Sequence, residues 1–226
     1  MSKFERLEKI IKKDDMTKLK NSTILVLGIG GVGGYVVESL ARSGIGKIII
    51  VDKDKVDESN INRQIIALNS TIGKRKVDVF EERIHDINTE CSVIKIDEFI
   101  NKDNIDILFK EKIDYLVDAC DTVSTKIAVM EECLIRKIKF ISSMGTGNKF
   151  HPELLEITDI RKTINDPLAK IIRKYVKDNR INDKIMVLSS REVPVHINDR
   201  VVGSTSFVPP SAGLLITSYI INNIIK

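Results

Sequence analysis

Tryptophan is absent, histidine and cysteine occur three times each, and no apolar run is long enough to cross a bilayer unaided. Each shortage removes a class of function. With no secretory signature, the three cysteines are expected to stay reduced. None stands in a C-x-x-C pair, so a structural zinc is not expected. Cys91 and Cys120 fall in or beside expected strands and Cys133 in an expected helix, where a thiol serves as a small apolar side chain. His85, His151 and His196 lie far apart in the chain and read as surface residues. No catalytic triad is visible. The longest late apolar stretch, Ala212–Ile225, is short for a membrane span and is interrupted by Asn222-Asn223. It reads as a helix buried in the domain or at a subunit interface, without stable membrane insertion. The N-terminus is charged and amphipathic, unlike a signal peptide. With 30% charged residues and 5% aromatics, a soluble cytoplasmic protein is expected.

What is present is concentrated between residues 24 and 64. An apolar strand, Ile24–Leu27, runs into Gly28-Ile-Gly30-Gly31-Val-Gly33. A helix follows, then a second apolar strand, Ile48–Val51, that ends at Asp52. Glycines let the backbone approach a phosphate, and the next helix offers free N–H groups at its positive end. A carboxylate at the end of the second strand can accept bonds from ribose hydroxyls. These features suit a nicotinamide dinucleotide as well as ATP.

The residues beyond Asp52 favour ATP. A triphosphate with a leaving group needs cations along it. Arg63 follows by a short loop, and Lys76 opens the next amphipathic helix. Asp121 lies just past the fourth strand, at the carboxyl end of a parallel sheet, where it could hold Mg²⁺ against phosphates. Asp118, at the end of that strand, reads as structural.

The wider pattern predicts an α/β fold with a doubly wound, mainly parallel, Rossmann-like sheet. An N-terminal helix spans 1–22, with Leu7, Ile10 and Ile11 on one face. An ATP-binding unit covers 23–148, with strands near 23–27, 47–51, 92–96, 114–118 and 138–142. Helices near 32–43, 74–88 and 124–136 alternate with them. A smaller, irregular C-terminal extension of the same domain covers 149–226. It holds a helix near 167–180, strands near 185–190 and 204–208, and a last helix after Pro209-Pro210.

The order GIGGVGG at 28–34, D-x-D at 52–54, N-x-x-R-Q at 60–64, G-K-x-K at 73–76 and D-A-x-D at 118–121 resembles the ubiquitin-activating-enzyme-like adenylyltransferase superfamily. Ser142-Ser-Met-Gly-Thr-Gly-Asn148, Asp166-Pro-Leu-Ala169 and Gly203-Ser-x-x-Phe-Val-Pro209 are similar to its tRNA-modifying dehydratase branch. The resemblance implies a substrate and a set of roles. The substrate is a threonylcarbamoyl-modified adenosine beside the tRNA anticodon. Its carboxylate is adenylated, and water is lost as a ring closes. Gly28, Gly30, Gly31, Gly33, Asp52, Asp54, Asn60, Arg63, Gln64, Lys76 and Asp121 would bind ATP, with Mg²⁺ at Asp121. Arg6, Arg63, Lys76 and Asp121 would act in catalysis. By the same resemblance Arg6 would reach the triphosphate of a partner subunit in a homodimer.

Charge adds one more expectation. Residues 161–226 hold 11 Lys and Arg against 5 Asp and Glu. Arg173, Lys174, Lys177 and Arg180 form a basic stripe suited to tRNA phosphates. A rival reading is adenylation of a sulfur-carrier or ubiquitin-like protein, which would bring a protein partner. Residues 134–226 contain no cysteine, so a thioester relay to such a protein is not expected.

Overall fold

Ile24–Leu27 and Ile48–Val51 are apolar at consecutive positions, a pattern that only a strand covered on both faces can use. The computed structural model, which describes residues 3–196 and 201–226, covers them in that way. Ile24, Val26, Ile48 and Ile50 face one apolar core, while Leu25, Leu27, Ile49 and Val51 face a second.

In chain order the elements begin with two short helices, α1 (Glu5–Glu8) and α2 (Lys13–Lys20), then β1 (Thr23–Leu27), α3 (Gly33–Arg42) and β2 (Lys47–Val51). They continue with α4 (Lys76–Ile87), β3 (Ser92–Ile96), β4 (Tyr115–Asp118), α5 (Val123–Arg136) and β5 (Lys139–Ser143). The last are β6 (Leu155–Asp159), α6 (Pro167–Asp178), β7 (Met186–Ser190) and α7 (Val208–Ile225). The sheet runs β3-β2-β1-β4-β5-β7-β6. All neighbours are parallel except β6 and β7. The chain builds outward from β1 to β3, then returns to the other side of β1 with β4. That reversal opens a crevice between the carboxyl ends of β1 and β4, the place where open α/β sheets bind ligands.

Four details differ from the sequence reading. The N-terminal helix is split between Glu8 and Lys13, with Lys12 extended (φ −72°, ψ 155°). Phe4 anchors the first piece, whereas Ile10 is 80% exposed. The C-terminal third contains an unexpected strand, β6, in which only Leu155 and Ile157 are apolar and pack on the core; it pairs antiparallel with β7 and extends the same sheet. Residues near 204–208 form no strand. They lead directly into α7, with Pro209 and Pro210 in its first turn, where a missing N–H costs nothing. Finally, α7 is not broken at Asn222-Asn223: their side-chain amides donate to the carbonyls of Ser218 and Tyr219 one turn back. At 18 residues α7 is long and apolar enough to cross a membrane by length and composition alone. One side of it, Val208, Ala212, Ile216 and Ile220, is buried in the core.

Candidate active site

The glycine turn is set by backbone geometry. Gly28 has φ +81°, a conformation open chiefly to glycine, and a Cβ there would meet the Ala119 carbonyl at 2.9 Å. A Cβ on Gly33 would lie 1.9 Å from the Gly28 oxygen. Gly33 therefore serves the close packing of α3 on β1 and, unlike Gly28, Gly30 and Gly31, is not among the residues lining the cavity. Gly30 does face the cavity, and a Cβ there would sit in ordinary contact, 3.5 Å from Gln64 Nε2. Gly31 lies against Arg63 and Pro209.

The crevice is a cavity of about 860 Å³. Of the residues the sequence assigned to ATP, Gly28, Gly30, Gly31, Asp52, Asp54, Asn60, Arg63, Gln64, Lys76 and Asp121 all line it. Asp52 ties the two ends of the nucleotide motif together. Its Oδ2 accepts from the Ile29 N–H at 2.9 Å, and its Oδ1 accepts from the Asp54 N–H at 2.9 Å. Burial pushes its carboxyl above the usual aspartate range, against the pull of Lys76. Lys76 is only 4% exposed, so it is not a surface residue at a helix start. Its Nζ lies 3.1 Å from Asp54 Oδ2 and 3.9 Å from Asp52 Oδ1.

Asn60 closes a one-turn 3₁₀ helix, Glu58–Asn60. The Asp57 side chain accepts from Ser59 N–H, and the Asn60 side chain accepts from Asp57 N–H, a reciprocal cap that holds the turn. Arg63 is braced on that turn by bonds to the Ser59 carbonyl (2.9 Å) and Asn62 Oδ1 (2.9 Å). Among the described residues no carboxylate pairs with it, so its charge faces the cavity uncompensated. Gln64 Oε1 is buried without a donor beside Gly30. A hydroxyl or amino group of a bound nucleotide would supply one.

Beneath the cavity floor, Asp118 and Lys126 form a buried ion pair at 3.0 Å. Lys126 also donates to Ser142 Oγ and the Ser143 carbonyl, and Ser142 Oγ donates to Asp118 Oδ2 at 2.6 Å. Asp118 is thus structural. Asp121, three residues on, is exposed at the mouth. Cys120 lines the cavity and is half-buried, not fully buried as expected; burial and the neighbouring Asp118 push its thiol far above the ordinary range. Cys91 and Cys133 are buried, and the three histidines are exposed.

Two expected site residues stand elsewhere. Arg6 is exposed on α1, outside the cavity of its own chain. Its helix packs through Phe4 near Gly44, just past the far end of α3, remote from the glycine turn. Arg173 is half-buried and spent on the Thr163 carbonyl (2.6 Å) and Thr163 Oγ1 (2.7 Å). It leaves the basic stripe, and Lys170 joins Lys174 and Lys177 on the exposed face of α6. The sequence reading also missed Val202, Gly203 and Ser204, which line the cavity from beyond β7. Gly203 exchanges two backbone-anchored bonds with Asn148, and the Asn62 side chain donates to the Ser204 carbonyl. Asn148 holds φ +55°, a conformation asparagine tolerates better than most residues.

A model of the ThiF family matches residues 4–166. The chain belongs to the ThiF family. Within that family its similarity reaches along the whole chain. It is 42% identical over 243 aligned residues to the tRNA threonylcarbamoyladenosine dehydratase of Bacillus subtilis, covering 100% of this chain and 96% of that protein. The Escherichia coli protein of the same name is 42% identical over 156 residues, 69% of this chain and 58% of that one. Its crystal structure in complex with ATP superposes with a TM-score of 0.93 at 32% identity, covering 99% of this chain and 93% of the other. A structure of the same E. coli protein with AMP matches equally well. E. coli MccB, at 23% identity and a TM-score of 0.72, shares the fold. The family match ends just before α6, and Leu168 of α6, the Val202–Ser204 segment and Pro209 of α7 complete the cavity from outside it.

Proposed function

We propose that this protein uses ATP to dehydrate N6-threonylcarbamoyladenosine in tRNA. The observation that carries the reading is the set of Asp52, Asn60, Arg63, Lys76 and Asp121 around one cavity, in a chain similar from end to end to proteins of that name. In the first step a carboxylate oxygen of the threonyl group attacks the α-phosphorus. The bond to the β-phosphate oxygen breaks, and pyrophosphate departs with its electron pair. A nucleophilic atom of the same modified nucleoside then attacks the acyl carbon. The carboxylate oxygen leaves on AMP, and the attacking atom gives up its proton. The products are a nucleoside lighter by one water, AMP and pyrophosphate.

This chemistry asks little proton transfer of the protein. A carboxylate is already nucleophilic, so alignment and neutralisation dominate. Arg63, which pairs with no carboxylate among the described residues, and Lys76 meet the charge that develops on the leaving pyrophosphate. Asp52 holds the ribose side of the turn. The donor set also fits a divalent cation: Asp121 is an exposed carboxylate lining the cavity, and among the described residues no cluster of three metal-binding side chains exists, so phosphate oxygens would complete the coordination. Mg²⁺ bound there would supply further neutralisation of the phosphates.

The same reading has the protein work in the cytoplasm as a homodimer, with Arg6 reaching the partner's nucleotide. The exposed Lys170, Lys174 and Lys177 face, with Arg180 beyond it, would meet tRNA phosphates. The deciding assay incubates the protein with Mg-ATP and tRNA bearing the modified nucleoside, then digests and weighs it. A loss of one water, abolished in Arg63→Ala and Asp121→Ala, is the expected outcome. Bound ATP with no loss of water would instead favour activation of a carrier protein.

A further inference from the structure

Residues 148–151 are held far more firmly than an exposed loop requires. Asn148 is locked to Gly203 by paired bonds of 2.8 and 2.6 Å. Lys149 is buried, with its ammonium 2.6 Å from the Gly145 carbonyl and 3.1 Å from Asp166 Oδ2. Glu192 is 8% exposed, and its carboxylate accepts from the N–H groups of both Phe150 (2.8 and 3.1 Å) and His151 (2.9 Å). Two buried charges and a left-handed asparagine thus fix the backbone of one dipeptide. Yet what that dipeptide displays is an open aromatic surface. Phe150 is 61% exposed.

The ring does not stand alone. Phe207 packs against it edge to face, with centroids 5.0 Å apart and planes at 89°. His151 also meets it edge to face, at 6.2 Å. This edge-on packing fixes the tilt of Phe150 while leaving a face open. The cluster also borders the cavity on two sides in the chain: Gly147 and Pro209 line the cavity, three residues from Phe150 and two from Phe207. Next to Phe150, the buried Lys149 pairs with Asp166, the N-cap of α6, which carries Lys170, Lys174 and Lys177. The cluster is therefore tied through short stretches of chain both to the cavity and to the helix with the basic face.

We propose that Phe150, braced by Phe207 and His151, is a stacking platform for an unpaired RNA base next to the modified nucleotide. The proposal rests on the tRNA reading above and extends it to a residue that grips the RNA. Single-stranded bases are held by stacking on aromatic faces, and a ring already fixed in place loses little entropy when a base lands on it. An apolar anchor for a second protein copy is the competing occupant. The bond network argues for a base, because it fixes two backbone N–H groups behind one presented ring, and because the neighbouring face is cationic.

The test uses the full-length protein and a hairpin RNA bearing the modified adenosine, with 2-aminopurine at an adjacent position. Binding should quench the fluorescence through stacking. Phe150→Leu keeps bulk and apolarity but lacks a ring; it should abolish most of the quench and raise KM for the RNA about 10-fold, at unchanged KM for ATP. Phe150→Tyr should retain both. The proposal is overturned if Phe150→Leu quenches and turns over as the wild type does, while the wild type still removes water; the tRNA reading then survives alone. It is equally overturned if Phe150→Leu converts a dimer to monomers by light scattering, which would make the ring an interface contact. If the wild-type protein binds no RNA, both readings fall.

Discussion

Lys126→Met should destabilise this protein severely although Lys126 does not line the cavity. Its Nζ lies 3.0 Å from Asp118 Oδ2, and the two side chains are 1% and 2% exposed. At an effective dielectric of about 20, that separation gives roughly 5 kcal/mol of attraction. Stripping water from each ion costs several kcal/mol, so the intact pair contributes little net stability. Removing one partner is different. The lysine also donates to Ser142 Oγ and to the Ser143 carbonyl, so its three N–H groups are all used. Methionine would leave the Asp118 carboxylate and a carbonyl oxygen without their main donor. The expected cost is about 3–5 kcal/mol. In urea this is a midpoint shift of about 1–2 M at an m-value of about 2–3 kcal/mol/M. A double-mutant cycle with Asp118→Val should show the double variant more stable than Lys126→Met alone. A cost below about 1 kcal/mol, the range of solvent-exposed pairs, would refute the reasoning. So would strictly additive single effects.

Four shorter predictions follow from other sites. Gly33→Ala drives a methyl against the Gly28 carbonyl and should cost about 1–3 kcal/mol by thermal unfolding, whereas Gly30→Ala should keep the wild-type Tm and lose ATP affinity by calorimetry. Glu38 is buried, and although burial pushes its carboxyl up, the guanidinium groups of Arg83 and Arg42 hold it below the ordinary 4.5. Its stabilisation is therefore present above about pH 4.5 and lost as pH falls below it, so Glu38→Gln should be less stable at neutral pH and show a shallower loss in acid, by urea titration at a series of pH values. Arg6→Ala and Arg63→Ala subunits mixed in a verified heterodimer should regain part of the activity that each lacks alone. Lys174→Glu with Lys177→Glu should weaken tRNA binding at least several-fold and flatten its salt dependence, with ATP binding intact.

The nucleotide half of the site was legible because its signals are local. The strand Ile24–Leu27, the turn Gly28–Gly33 and the strand ending at Asp52 each follow from residues next to one another, through apolar runs, left-handed φ and strand length. The N-x-x-R-Q motif follows β2 by a short loop, whereas G-K-x-K lies a long connection further on and is drawn back beside Asp54 by the Lys55–Arg75 bridge and the Lys76 N–H to Asp54 carbonyl bond. Beyond β5 the local signals weaken. Strand β6 alternates as Leu-Glu-Ile-Thr-Asp, but with only two apolar residues and intermediate burial throughout, its signal is too short to stand out before its pairing with β7 is known. Arg173 looked identical to Lys174 in the sequence, and only the approach of Thr163 separates them.

The sequence alone therefore determined the doubly wound α/β class, the glycine turn and the identity of the charges that line the cavity. Tertiary structure decided which of those charges are free to act. The fold turned Lys76 inward, left Arg63 with no carboxylate among the described residues, tied Arg173 to Thr163 and placed Cys120 half-buried on the cavity wall. It also brought Phe150 and Phe207, 57 residues apart in the chain, into one cluster beside the cavity. The reason is physical: secondary structure and turns depend on neighbours a few residues away, whereas desolvation and pairing depend on what the fold packs against each group from distant parts of the chain.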